Sequence, residues 1–215
     1  MNAPSLLEYL RNTDSILSRT IRSGTVLTSV NLRKKQALLT GNKLRDRNSS
    51  NLQLVSEYIS SRRNYVPNEP LEILVTLVTL AQLTNFGILP EGMFRTWDYV
   101  TPANGNPLPS IPPSDIAAGL ESLSNECCAI LKIEDQAQAL REVAGLEWEL
   151  CVGPLHPFYD ACGRISRYFA VLVSLWMDIP LPHYSSREEY FAAACEGKAK
   201  FGEYVRAQAS IRIGA

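Results

Sequence analysis

The segment from His156 to Arg167, which reads HPFYDACGRISR, constrains the fold more than any other part of the chain. Its small residues, 161–163, lead directly into a pattern of apolar residues at helical spacing. The apolar positions of this pattern fall on one stripe: Ile165, Phe169, Leu172 and Trp176. Pro180 and Pro182 then stop the helix. The sequence therefore predicts a loop that runs into the N-terminus of an amphipathic helix over residues 163–177.

The same segment carries residue types that suit a bound polyphosphate. The first turn of a helix presents backbone N–H groups and the positive end of the helix dipole to an anion, and the small side chains of 161–163 let phosphates approach. Arg164 and Arg167 share one helix face, where guanidinium groups can clamp phosphate oxygens. The structural alternative is a surface pair of salt-bridging arginines. The favoured interpretation is a phosphate site formed by Ala161, Cys162, Gly163, Arg164 and Arg167.

Two further residues of the segment can carry chemistry. His156 is the candidate general base, because the ordinary pKa of histidine, about 6.5, lets its ring accept a proton near neutral pH. Asp160 offers a hard oxygen ligand for Mg²⁺, which takes one or two carboxylates and completes its shell with phosphate oxygens and water. The structural alternative for Asp160 is the N-cap of the following helix. Phe158 is expected to anchor the loop in the core.

The segment resembles the signature of the Fic family, which reads His-Pro-Phe, any residue, Asp or Glu, Gly or Ala, Asn, Gly or Lys, Arg, two residues, Arg. This chain departs from the signature at one position, where Cys162 replaces Asn. The resemblance implies a Fic-type helical bundle with a small β-hairpin flap. It also implies a protein adenylyltransferase that uses Mg²⁺ and moves AMP from ATP to a Ser, Thr or Tyr hydroxyl of a target protein, with His156 as base.

The departure at Cys162 leaves alternatives open. A thiol is a poorer hydrogen-bond donor than an amide, so the replacement is compatible with slower transfer, a changed substrate or a loss of catalysis. One alternative is a transferase that takes another group, such as UMP or phosphocholine, from a pyrophosphate-containing donor. A different class of function is a non-catalytic Fic-fold module that binds a nucleotide or a protein. A further hypothesis makes Cys162 a redox-sensitive thiol.

The resemblance also raises the question of regulation. Many Fic proteins restrain themselves with a helix carrying Ser or Thr, three residues, Glu, then Gly or Asn. Its Glu pairs with the second arginine of the signature and obstructs the γ-phosphate. The best-aligned stretch here, 23–28, has Leu27 at the Glu position, and Glu196 has Ala192 where Ser or Thr would stand. We therefore expect no built-in glutamate restraint, which would leave Arg167 free to bind phosphate.

The rest of the chain is predicted to be mainly α-helical. Short helices are predicted in the first forty positions, broken around Gly24 and at Gly41-Asn42, where apolar residues recur at helical spacing: Leu6, Leu7, Leu10, Ile16 and Leu17. The same spacing predicts helices in later segments: 51–62, 70–83, 114–130, 133–152, 186–195 and 198–206. The apolar run 70–83 is expected to be central. Asn104-Gly105 predicts a small hairpin within 94–113. We divide the chain into an N-terminal helical appendage, residues 1–48, and a Fic domain, residues 49–215.

The resemblance extends to Gly92-Met-Phe-Arg95, which is similar to the start of the family's flap. It implies that a target protein docks on the hairpin near Tyr99 to Thr101, where an edge strand can pair with an extended segment. The alternative is a stiff loop that merely covers the cleft.

Composition narrows the classes of function. With 215 residues, 46% hydrophobic and 20% charged, the chain is an ordinary globular one. A net charge of -1 gives no long-range attraction for nucleic acid, and no basic leader or membrane span is expected. The odd number of cysteines, without a Cys-x-x-Cys pair, favours a reducing compartment and thus the cytoplasm. Delivery into a host cell by a route without a cleaved signal remains compatible with these features.

Overall fold

The computed structural model describes residues 4–17, 41–88, 94–96, 98, 100–101 and 108–209. Within these ranges the chain is mainly α-helical. The helices are α1 (Leu6–Leu17), α2 (Gly41–Arg62), α3 (Pro70–Asn85), α4 (Ile116–Ile130), α5 (Gln136–Cys151), α6 (Cys162–Trp176), α7 (Arg187–Cys195) and α8 (Lys198–Gln208). Two short strands, β1 (Val100–Thr101) and β2 (Leu108–Pro109), and a 3-10 turn at Pro113–Asp115 lie between α3 and α4. The mainly α fold class predicted from the sequence is confirmed.

Helix α6 lies at the centre of the fold. Its side chains Ile165, Phe169 and Leu172 are fully buried, and the helix packs against α2, α3 and α5. The helix predicted over residues 163–177 is confirmed, although it begins one residue earlier, at Cys162. Because close packing fixes a buried helix on several sides, the N-terminal turn of α6 gives the preceding loop a rigid base.

Helix α3 is less central than its apolar sequence predicts. Ile73, Leu77 and Leu80 are buried, where α3 packs against α2, α4 and α6. Leu71 and Val75, however, are 65% and 55% exposed. An apolar run does not by itself distinguish a helix buried all round from one with an open apolar face, so the expectation of a central helix is only partly met.

Helix α1 shares the core of the other helices. It packs against α2, and Tyr9 and Leu10 belong to the same hydrophobic cluster as Ile165 and Phe169 of α6. The predicted boundary between residues 48 and 49 falls inside the continuous helix α2. A domain division at that point would therefore cut a helix.

The predicted hairpin segment contains one antiparallel strand pair. Val100 pairs with Pro109, and Thr101 pairs with Leu108. Both arms are attached to the loop before α6: Phe94 forms an antiparallel bridge with Phe158, and the Ile111 N–H donates to the Pro154 carbonyl oxygen at 2.8 Å. The predicted turn at Asn104-Gly105 lies outside the described residues, and the role of this segment as a flap stays a prediction.

A buried carboxylate joins α5 to α7 and to the segment that precedes α7. Glu147 is fully buried, and it accepts hydrogen bonds from the hydroxyls of Tyr184, at 2.5 Å, and Tyr190, at 2.8 Å. Burial raises the pKa of Glu147, and the two tyrosine hydroxyls oppose that shift only in part. A second hydrophobic cluster, which contains Tyr190 and Phe201, surrounds this group.

Within the described ranges, no helix combines the length and the apolar character needed to cross a membrane. All five cysteines are free thiols.

Candidate functional site

The loop before α6 starts with a tight turn at the end of α5. The N–H groups of Val152 and Gly153 both donate to the Trp148 carbonyl oxygen, at 3.0 and 2.7 Å. A Cβ atom added to Gly153 would lie 2.7 Å from the Cα of Glu149, so only glycine fits this turn without a backbone shift. The turn sends the chain back along α5, where the His156 N–H donates to the Glu149 carbonyl oxygen at 3.2 Å.

His156 is held in one conformation by its surroundings. Its backbone is left-handed, with φ of 27°, a region that costs a non-glycine residue about 1–3 kcal/mol and persists only where neighbouring structure enforces it. Its ring Nδ1 lies 2.6 Å from the Cys151 carbonyl oxygen. Because a carbonyl oxygen only accepts hydrogen bonds, Nδ1 carries the proton, and in the neutral ring Nε2 is the basic nitrogen. This tautomer is the one that a general base acting through Nε2 requires.

The N-terminus of α6 begins at a left-handed alanine. Ala161 has φ of 62° and ψ of 18° and occupies the N-cap position without a side-chain cap. Its carbonyl oxygen accepts from the N–H groups of Arg164 and Ile165, both at 2.9 Å. A helix N-terminus presents backbone N–H groups and the positive end of the helix dipole, so this end of α6 suits an anion.

Close packing links His156 to the first turn of α6 and to Arg167. Cys151, whose carbonyl receives the His156 ring, lies next to Gly163: a Cβ atom added at Gly163 would be 3.4 Å from the Cys151 Sγ and 3.2 Å from Arg167 Nη1. A residue with a side chain at position 163 would therefore press on the Arg167 guanidinium. Glycine leaves room between the loop and that arginine.

Cys162 is turned away from the anion site. Its thiol donates to the Phe158 carbonyl oxygen at 3.3 Å, and the residue is 5% exposed. Burial weighs against the hypothesis that Cys162 is a redox-sensitive thiol, because such thiols are accessible to solvent.

Arg167 forms an ion pair with the N-terminal helix. Its Nη2 donates to Asp14 Oδ1 at 3.1 Å, and the Tyr168 hydroxyl donates to Asp14 Oδ2. Burial by itself lowers the pKa of Arg167, but the negative charge of Asp14 and of other neighbours outweighs this effect, so its pKa is raised. The Nε of Arg167 is buried without a hydrogen-bond partner. The ion pair with Asp14 therefore fixes the Arg167 guanidinium beside α1.

Arg164 and Asp160 are more accessible than Arg167. The Arg164 Nη1 donates to Asn48 Oδ1 on α2 at 2.6 Å. Asp160 is half-buried in the loop. Ala161, and not Asp160, occupies the N-cap position of α6.

A single carboxylate beside an anion site fits Mg²⁺, which draws most of its ligands from phosphate oxygens and water. Among the residues that the structure describes, no three or more His, Cys, Asp and Glu side chains are grouped to hold a metal ion by themselves. The role of Asp160 as a Mg²⁺ ligand stays a prediction.

Comparison with known proteins identifies the architecture. No family model matches the sequence, and no curated protein matches it significantly. The structure is similar to the crystal structure of a Fic family protein from Desulfovibrio desulfuricans G20, with a TM-score of 0.54 over 94% of this chain and 13% sequence identity. This chain has the Fic fold. The match covers 59% of the Desulfovibrio protein, so the chain corresponds to a part of that longer protein.

Within the Fic fold, the residues predicted from the sequence lie together around the N-terminus of α6. His156, Ala161, Gly163 and Arg167 are linked by the contacts of Cys151 and of the first helical turn. Phe158 is 1% exposed and stacks on Phe94, with ring centroids 5.8 Å apart, which confirms its role as an anchor. The functional roles of the other residues stay predictions.

The expectation that Arg167 is free is wrong. The stretch 23–28, where a restraining helix was sought, lies outside the described residues, and Glu196 caps the end of α7. Arg167 instead pairs with a carboxylate that the glutamate pattern does not include, that of Asp14 on α1. The sequence does not signal this partner, because the family's restraint uses a glutamate in one spacing, whereas the packing of α1 on α2 brings Asp14 to Arg167.

Arg95 is a second residue whose position was missed. It is 2% exposed, and its Nε donates to the His156 carbonyl oxygen at 2.8 Å. An arginine that follows Met-Phe carries no sequence signal for burial, since arginine is among the residues least often buried.

Proposed function

We propose that this protein is a Mg²⁺-dependent transferase of the Fic family that moves AMP from ATP to a Ser, Thr or Tyr hydroxyl of a target protein. The observation that carries the proposal is the hydrogen bond from His156 Nδ1 to the Cys151 carbonyl oxygen, which makes Nε2 the basic nitrogen. This base precedes the N-terminus of a buried helix by a short loop. The motif and the fold both support the family assignment.

In the proposed reaction, His156 Nε2 accepts the proton of the target hydroxyl as the hydroxyl oxygen attacks the α-phosphorus of ATP. The bond between the α-phosphorus and the oxygen that bridges to the β-phosphate breaks, and pyrophosphate leaves. The product is a phosphodiester between AMP and the side-chain oxygen. General-base catalysis of this kind contributes about 10²–10⁴-fold in rate.

The phosphates would be bound by the first turn of α6 and by the two arginines. Backbone amides at residues 161–163 and the helix dipole suit an anion. Arg164 and Arg167 would add charge-assisted hydrogen bonds, and the buried Arg167 Nε has no protein partner. Asp160 would hold Mg²⁺, which neutralises phosphate charge when bound. Much of this binding would come from backbone groups and would not depend on the side chain of Cys162.

The hairpin is the proposed docking surface for the target. β1, which ends at Thr101, is attached through Phe94 to Phe158 in the loop that carries His156. A target segment that paired with this edge would lie next to the same loop. Tyr99, the other end of the predicted docking segment, lies outside the described residues.

The loop constrains the identity of the group donor less than it constrains the chemistry of transfer. Nothing in the 156–167 loop reads a base, so UMP or phosphocholine from a pyrophosphate-containing donor is compatible with the same contacts. A non-catalytic binding module is the alternative class, and two observations favour it: Arg167 is already paired with Asp14, and the Cys162 thiol contacts Phe158 instead of the site.

The experiment that tests the proposal compares donors and a base variant. The purified protein with Mg²⁺ would be incubated with ATP labelled at the α- or the γ-phosphate, UTP labelled at the α-phosphate, or CDP-choline labelled in the choline, alone and with cell lysate. The proposal predicts transfer of the α-label of ATP to protein, no transfer of the γ-label, and loss of transfer in His156→Ala. Transfer of another label would retain the enzyme class and change the donor, whereas binding of ATP without any transfer would support the binding module.

A further inference from the structure

Arg95 is a buried cation directly behind the candidate base. It precedes β1 and is 2% exposed. Burial lowers the pKa of its guanidinium, which marks a position where a charged group has lost much of its hydration. Burying a charge costs free energy unless its hydrogen-bond donors are satisfied in a fixed geometry. The contacts of Arg95 therefore show which groups of the protein this residue holds in place.

The guanidinium donates to backbone carbonyls of two segments. Its Nε donates to the His156 carbonyl oxygen at 2.8 Å, and its Nη2 donates to those of Leu155, at 3.3 Å, and Ile111, at 2.5 Å. The backbone N–H of Arg95 adds a bond to the Pro157 carbonyl oxygen at 3.0 Å. Arg95 therefore contacts three successive residues of the loop that carries the candidate base, and its planar fork fixes the direction of two of their carbonyls.

These contacts act on a residue of the loop whose backbone conformation needs external support. With φ of 27°, His156 cannot keep its conformation by local preference alone. Its N–H is held by the Glu149 carbonyl, its ring by the Cys151 carbonyl, and its own carbonyl by Arg95. The first two supports come from α5, and Arg95 supplies the support on the other side of the Cα atom.

We propose that Arg95 is a positioning residue for His156: by fixing the His156 carbonyl, it holds the strained backbone that presents the ring to Cys151 as the Nδ1-protonated tautomer. The hydrogen bond to the Ile111 carbonyl oxygen also links Arg95 to the segment that follows β2. A displacement of the hairpin would thus reach the base through Arg95. The effect of Arg95 on catalysis rests on the function proposed above, but its effect on the tautomer does not.

The chain offers a direct readout of the tautomer, because His156 and His183 are its only histidines. Long-range proton–nitrogen NMR of protein labelled with ¹⁵N-histidine, recorded at a pH where both rings are neutral, distinguishes a protonated ring nitrogen from a bare one. His183→Gln assigns the signals. The wild type is expected to show His156 with Nδ1 protonated and Nε2 bare, and a wild-type His156 protonated at Nε2 would overturn the proposal at once.

The test variants are Arg95→Gln and Arg95→Lys, with Arg187→Gln as the matched control. Arg187 also donates to a backbone carbonyl, that of Leu17 at 3.1 Å, but it lies on α7 away from the loop. Arg95→Gln is expected to lose the single tautomer of His156, while His183 keeps its signal. Arg95→Lys keeps the charge but not the planar guanidinium, so it is expected to lose the single His156 tautomer in part. Arg187→Gln is expected to leave the tautomer unchanged.

A folded Arg95→Gln protein whose His156 remains in the single Nδ1-protonated form would overturn the proposal. If Arg95→Gln does not fold, the same criterion applies to Arg95→Lys, which keeps the charge. In a transfer assay, both Arg95 variants are expected to lower kcat with little change in the KM for nucleotide, whereas a general loss of structure would change both. If the wild type transfers no label, the proposed function fails, and the tautomer measurement still decides the role of Arg95.

Discussion

Asp14 of α1 accepts a hydrogen bond from Arg167 of α6 at 3.1 Å, across 153 positions of sequence. The carboxylate also accepts from the Tyr168 hydroxyl, so α1 is tied to the first turns of the helix whose N-terminus forms the candidate anion site. A phosphate that is to bind Arg167 must share its guanidinium with Asp14 or displace the carboxylate. The ion pair therefore opposes phosphate binding at this arginine.

Replacement of Asp14 by Asn is expected to have opposite effects on stability and on nucleotide binding. The variant leaves Arg167 as a buried cation without its carboxylate, so the free energy of unfolding should fall by about 1–3 kcal/mol. The freed guanidinium should bind Mg-ATP more tightly, by up to about tenfold, which corresponds to about 1.4 kcal/mol. Urea unfolding and titration calorimetry measure the two effects.

Tyr168→Phe is the matched control for Asp14, because it removes the other donor to that carboxylate and leaves the ion pair in place. It should lower stability without tightening nucleotide binding. Equal ATP affinity in the wild type and Asp14→Asn would contradict the view that the ion pair competes with phosphate.

Ala161→Gly is expected to stabilise the protein or leave its stability unchanged. The left-handed backbone at Ala161 costs an L-residue about 1–2 kcal/mol, which glycine avoids, and the extra freedom of glycine in the unfolded chain offsets about 0.5–1 kcal/mol of that gain. Ala192→Gly, at an exposed position inside α7, should instead cost about 1 kcal/mol. If both substitutions destabilise equally in urea unfolding, the left-handed conformation at position 161 is wrong.

The buried Glu147 should make stability depend on pH. Its pKa is raised by burial, so the folded protein binds this proton more tightly than the unfolded chain does. The stabilising contribution is fully present below the ordinary value of 4.5 and is lost as the pH rises through the raised folded value. We therefore expect the free energy of unfolding of the wild type, relative to Glu147→Gln, to decrease as the pH rises above this ordinary value.

Glu203→Gln is a control for which the difference in the free energy of unfolding from the wild type should change with pH in the opposite direction. Hydrogen bonds from Arg206 lower the pKa of the exposed Glu203, so its contribution is present above the ordinary value and is lost as the pH falls through the lowered one. Urea unfolding over a range of pH should show the two differences changing in opposite directions. Parallel pH profiles for Glu147→Gln and the wild type would show that Glu147 titrates normally.

Cys162→Asn is expected to increase nucleotidyl transfer. The buried thiol contacts the Phe158 carbonyl and offers the anion site only its backbone, whereas an amide can donate two hydrogen bonds. Cys195→Asn, at a half-buried position at the end of α7, should leave transfer unchanged. Equal rates for Cys162→Asn and the wild type, with ATP bound by both, would mean that Cys162 does not limit the reaction.

The sequence predicted the helices well, because their apolar periodicity is a local property. The start and end of α6 followed from small residues on one side and prolines on the other, and the structure agrees within one residue. The loop residues His156 to Gly163 are candidates because their chemistry is concentrated in one continuous segment. A candidate site that is local in sequence can be proposed from the sequence.

The contacts that complete the site were not predictable in this way. Asp14 and Arg95 reach the loop only through the packing of α1 and through the pairing of Phe94 with Phe158. The tautomer of His156 depends on a carbonyl group, which every residue carries, so no residue type signals it. The exposed face of α3 was missed for a related reason, since Leu71 and Val75 look like core residues until the neighbours of the helix are known.

The most direct test of the proposed chemistry is transfer from α-labelled ATP in a background where Arg167 is released. Asp14→Asn and the double variant Asp14→Asn, His156→Ala would be incubated with Mg²⁺, ATP and cell lysate, and protein-bound label would be measured after confirming by calorimetry that both bind ATP. We predict that Asp14→Asn transfers label to protein and that the double variant binds ATP but transfers none. Equal transfer by the two proteins would rule out His156 as the base, and binding without transfer by Asp14→Asn would contradict the assignment of the protein as a nucleotidyltransferase that uses ATP.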